Sequence, residues 1–204
     1  MEGFGRASGN TWVACLFAHP HKDFYMDDAF ESLHSLLKTA SPPDLGPTPR
    51  SGTESAAALN RKLDGILEDS KASSYSQQLI RALILLWHDH LDPAHTLAQE
   101  VEGADGAFVH GIMHRREPDY GNAAYWFRRV GQHPAFPEIG KRAGLIPEIK
   151  SNPRTYSALF SSAGWDPFAF INLCERYARG SEPGRNVLQQ IQAIETQVLL
   201  EFLL

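Results

Sequence analysis

His110 and His114 stand four residues apart and Glu117 follows three later, so on a helix all three fall on one face. Side chains at that spacing have Cβ atoms roughly 5–6 Å apart, near enough to share a proton, a ligand or a metal ion. Arg115 and Arg116 follow His114 directly, and Arg128 and Arg129 close the next stretch. A guanidinium is a planar fork that matches a carboxylate or phosphate. If two short helices fold back across Pro118, these forks converge on one small anion beside an imidazole that can move a proton. The catalytic candidates are therefore His110, His114 and His95. The ligand-binding candidates are Arg115, Arg116, Asn122, Tyr125, Arg128 and Arg129.

The same residues admit two other readings. Buried guanidiniums must be paired, so Glu117, Asp119 and Asp89 can instead close an internal ion-pair network. The chain is then a structural or interaction module, with its apolar C-terminal helix making a homodimer. The third reading is a divalent metal held by His95, His110 and His114, with His88 and His90 near. No Glu directly follows the first histidine, so this is not the H-E-x-x-H pattern. The arginines also oppose a cation, because like unit charges about 6 Å apart repel by roughly 3 kcal/mol at an effective dielectric near 20. No cofactor is assigned on these grounds. Tyr125, Trp126 and Phe127 point three ways around a helix, so at least two of the rings belong to the core, and a stacking platform is the minor reading.

Composition excludes several classes. The segment 105–133 sets four arginines against Asp105, Glu117 and Asp119, a basic island in a chain of net charge −5. No long Lys/Arg face is available to displace counterions, which argues against nucleic acid. No apolar run reaches the roughly 18 residues of a membrane span, and no secretory signal is evident, so a soluble, cytoplasmic protein is expected. Cys15 and Cys174 lie outside any C-x-x-C spacing and read as reduced, packed thiols. Nucleophile-elbow, phosphate-loop, dinucleotide and zinc-deaminase patterns are all missing.

The elements that must position the site are helices. Runs of alternating β-branched residues are lacking, and the fold class expected is all-α, a single domain over 23–204 with a loosely attached arm at 1–22. A helix begins near Asp27, and the four prolines of 40–53 make a loop. A second helix runs from about Glu54 to Asp69. The central helix, about Tyr75 to His90, is apolar all round from Ala82 to Trp87. Asp92–Pro93 reads as a cap with proline at the first helical position, and Asp166–Pro167 repeats it for a helix to Gly180. Gly106–Glu117 and Tyr120–Val130 form the pair carrying the candidates, short pieces such as 137–143 follow, and Arg185–Leu204 ends the chain. Its apolar VLLEFLL either docks on the domain or pairs two subunits.

The run H-G-I-M-H-R-R-E-P-D-Y-G-N-A-A-Y-W-F-R-R-V-G-Q-H-P-A-F at 110–136, preceded by LLWHDHLDPAH at 85–95, resembles a family of uncharacterised bacterial and fungal proteins. The resemblance covers about a quarter of the chain. It implies a shared site around His95, His110, His114, Arg115, Arg116, Asn122, Arg128 and Arg129 and carries no assigned activity with it.

Overall fold

The structure is a computed structural model and describes residues 28–162, 164–179 and 184–204. The arm expected at 1–22, with Cys15, lies outside the described residues. About 69% of the described residues are helical, in eleven α-helices and one short 3-10 turn, with no strand among them, so the fold is all-α. The helices are α1 (Asp28–Leu36), α2 (Ala56–Glu68), α3 (Ser74–Trp87), α4 (Leu91–Ala98), α5 (Ala104–Arg116) and α6 (Tyr120–Val130). They continue as α7 (Phe136–Ala143), α8 (Pro147–Ser151), α9 (Pro153–Tyr156), α10 (Pro167–Ala178) and α11 (Arg185–Leu203).

A side-chain cap starts four of these helices. Ser55 accepts from the Ala58 N–H, Ser73 from Ser76, Asp119 from Asn122, and Asp166 from Phe168 and Ala169. Each satisfies a backbone donor that has no partner inside its helix. The helix after the Trp87 break departs from expectation. It begins at Leu91 with His90 in the capping position, and Pro93 sits inside the first turn instead of opening it. The cause is Asp89, which takes a left-handed φ of 68° and turns its carboxylate into the protein, leaving Asp92 with no capping role.

The core lies where α3 and α11 cross. Leu79, Ile80 and Ala82 through Trp87 are buried on α3, as expected of a central helix. The last helix is just as enclosed. Val187, Leu188, Ile191, Ala193, Ile194, Val198, Leu199, Leu200 and Leu203 are buried, and α11 packs on α3, α7 and α10. Its apolar stripe is used inside the domain, which leaves a dimer seam along it without support. Beside this core, α5 and α6 form a close antiparallel hairpin. Gly111 permits the approach, since a Cβ there would stand 2.6 Å from the Phe127 ring.

Candidate functional site

Arg115 and Arg116 leave α5 toward the interior, and each meets a carboxylate. Arg115 is fully buried and forms a bidentate pair with Glu195 of α11, its Nη1 at 3.2 Å from Oε1 and its Nη2 on Oε2. Its guanidinium carbon lies 4.4 Å from the centre of the Phe170 ring. Burial pushes the Glu195 carboxyl up, against the attraction of Arg115, while Glu195 holds the Arg115 guanidinium charged. Arg116 donates to Asp89 Oδ1 at 2.7 Å and to the carbonyls of Leu86 and Gly46. Asp89 Oδ2 accepts from the backbone N–H of Arg50 at 2.9 Å and from its Nε at 2.8 Å. Burial favours the neutral Asp89 acid, but Arg50 and Arg116 together outweigh it and hold the carboxyl below its ordinary value.

The histidines gather on the other side of α5. The ring centroids of His95 on α4 and of His110 and His114 on α5 are separated by 5.4 Å (95–110), 5.6 Å (95–114) and 6.0 Å (110–114). His110 stacks on Trp126 at 4.1 Å with 9° between the planes. His114 Nδ1 lies 2.9 Å from Glu117 Oε2, and Asn122 Nδ2 lies 3.3 Å from that nitrogen and 3.2 Å from Nε2, so Glu117 is the partner that orients the ring. His110 is 2% exposed, and its Nδ1 is buried without a hydrogen-bond partner. Burial lowers its imidazole to about 4, and the nearby His95 adds to the effect. The Gly106 carbonyl one turn back opposes the shift without forming an aligned hydrogen bond. His95 is half-buried and opens the cluster toward the surface. As the side chains stand, no group of three or more His, Cys, Asp or Glu among the described residues is placed to hold a metal ion.

The remaining candidates lie on the outer face of α6. Arg128, Arg129 and Tyr125 are exposed, and the Arg129 guanidinium carbon is 5.4 Å from the Trp126 ring and 5.9 Å from that of Tyr125. The four arginines therefore do not make one fork, because two are interior and two face outward. Of the three aromatics, Phe127 alone is fully buried, Trp126 is half-buried and Tyr125 is exposed. His88 and His90 are drawn away by the carbonyls of Leu36 and Glu54, at 2.9 and 2.7 Å. Of the expected carboxylate partners, Asp89 does serve Arg116, whereas Glu117 faces His114 and Asp119 caps α6. Glu195 and Arg50 had not been expected to take part. The one signal for Glu195 is an acid set among the apolar residues of the last helix, as Glu201 also is, and Arg50 has none. Cys174 is buried, and burial pushes its thiol up to about 12, so it is an inert packing group.

Comparison of the chain with protein-family models, with curated proteins and with solved structures finds no match.

Proposed function

We propose that the chain binds a small anion, a carboxylate or phosphate, at the opening formed by His95, His114, Asn122 and the exposed Arg129, with an imidazole of the cluster as proton carrier. The observation that carries this reading is the convergence of three imidazoles from two helices. Arg115 and Arg116 belong to the scaffold in this reading, and Arg128 and Arg129 supply the charge that draws the anion in.

The test is thermal denaturation with phosphate, sulfate and small carboxylates, in the presence of a chelator, on the wild type and on His95→Ala and Arg129→Ala. A ligand at about 100 times its dissociation constant adds roughly 2.7 kcal/mol, a clear rise in midpoint. The reading expects a rise in the wild type that both variants lose. If no anion moves the wild type, or the variants respond as it does, the anion site is wrong. A second reading, the interaction module with an internal ionic network, is favoured by the buried ion pairs of Arg115 with Glu195 and of Arg116 with Asp89. It expects no anion response at all.

A further inference from the structure

We propose that a groove beside the C-terminal end of α7 receives an amphipathic helix of a partner protein, one whose apolar face is flanked by Asp and Glu. The groove has a volume of about 400 Å³ and shares no residue with the histidine cluster. Gly140 and Gly144 put bare backbone along it, Ile149 of α8 is buried in it, and Leu145, Pro153 and Phe160 stand around it. Leu145 is 58% exposed, the most open large apolar side chain among the described residues, and Phe160 is 37% exposed. One exposed leucine calls for no explanation. Two large apolar side chains over a single groove mark a surface that gains by being covered.

Charge decides what covers it. Lys141 and Lys150 line the groove, and no Asp or Glu does. Lys141 reaches Glu138 at 3.3 Å with both side chains open to water, a pair worth little and easily exchanged for a partner's carboxylate. Lys150 makes no ion pair among the described residues. Residues 139–179 carry six Lys or Arg against three Asp or Glu, in a chain of net charge −5. Of those three acids, Asp166 is engaged in capping α10 and Glu175 in pairing with Arg179. An acidic partner is therefore drawn to this face and repelled by much of the remaining surface. The pocket beside α10, lined by Glu175 as well as Arg176, has no such bias. The shape of the groove sets the form of the partner. It is open along one side, whereas small-molecule sites enclose most of their ligand. No strand edge among the described residues offers backbone hydrogen bonds to an extended peptide, so a helix, which satisfies its own backbone, is the form that fits. Its apolar side chains meet Leu145, Ile149 and Phe160 while its flanking carboxylates meet the two lysines.

The experiment selects a display library of short amphipathic helices, their flanking positions randomised among Asp, Glu, Lys, Arg, Ser and Gln, on the full-length protein. Binders that also hold Leu145→Ser are discarded. Leu145 and Lys150 are both exposed, so Leu145→Ser and Lys150→Glu should keep the wild-type unfolding midpoint. The expected outcome is a set of groove-dependent helices enriched in Asp and Glu beside their apolar face. A recovered helix, followed by fluorescence anisotropy, should lose roughly tenfold or more in affinity on Leu145→Ser. Lys150→Glu should weaken it as well. Raising salt from about 0.05 to about 0.5 M should weaken binding to the wild type more than to Lys150→Glu. Recovery of no groove-dependent helix, or of helices with neutral or basic flanks, overturns the inference. So does a protein that dimerises by itself and becomes monomeric as Leu145→Ser, because the groove is then filled by a second copy.

Discussion

Arg115 and Glu195 meet where neither can find water, and that decides what each substitution does. Removing one charge from a buried pair costs about 3–5 kcal/mol, because the other is left unpaired, whereas apolar residues of similar volume in both places are often neutral or stabilising. Glu195→Ala should therefore lower the unfolding free energy by about 3–5 kcal/mol. Arg115→Met with Glu195→Leu should recover most of that loss. Chemical denaturation of the three proteins checks this, and a double variant as weak as the single would mean that the pair itself drives stability. The ring of Phe170 at 4.4 Å from the guanidinium carbon gives the replacement Met an apolar neighbour, which is why recovery is expected here. Asp89 differs, since it serves Arg50 and Arg116 together and sits at positive φ. Asp89→Asn keeps the backbone shape, because Asn tolerates that region, and isolates the loss of charge from the loss of the turn.

Gly111 fixes how closely α5 and α6 approach, and two effects of opposite sign compete at it. Alanine in a helix interior is favoured over glycine by about 0.8–1.0 kcal/mol. Against that, the added methyl stands 2.6 Å from the Phe127 ring, and overpacking of this kind costs about 1–3 kcal/mol. Gly111→Ala should therefore be destabilising by up to about 2 kcal/mol, and Phe127→Leu should rescue part of the loss in a double-mutant cycle. A stabilised Gly111→Ala would show that the Phe127 ring gives way to the added methyl at little cost. Helices such as α6 and α10 could be read from the sequence because Asp119 and Asp166 act on donors two or three residues away. The start of α4 could not. It follows from a carboxylate that turns inward to a guanidinium 39 residues earlier, and no local pattern carries that information. The site divides in the same way. The cluster of His110 and His114 follows from helical spacing, and His95 joins them because α4 folds back on α5, whereas Glu195 reaches Arg115 across 80 residues.

The molecule is closed at one end by Glu201, which ties α11 to both α7 and α1. Its oxygens accept from Arg142 at 2.9 and 2.6 Å, and His34 Nε2 lies 3.4 Å away. Burial favours the neutral acid, but His34 and Arg142 prevail and bring the carboxyl from 4.5 down to about 2. A folded value below the unfolded one means that the unfolded chain takes up the proton first. Stability from this group is therefore complete above pH 4.5 and is lost as pH falls toward about 2. Asp89, also held below its ordinary value, adds to the loss in the same direction, while Glu195 works the other way. The acid limb should then be steep only below pH 4.5, with a loss on the order of 3 kcal/mol from Glu201. Urea unfolding of the wild type and Glu201→Gln from neutral pH down to about pH 2.5 tests it. The variant should start less stable and fall along a shallower limb, and the curves should draw together at the acid end. Parallel curves would show that the end of α11 is held by its apolar residues alone, with the ionic tie contributing nothing to the fold.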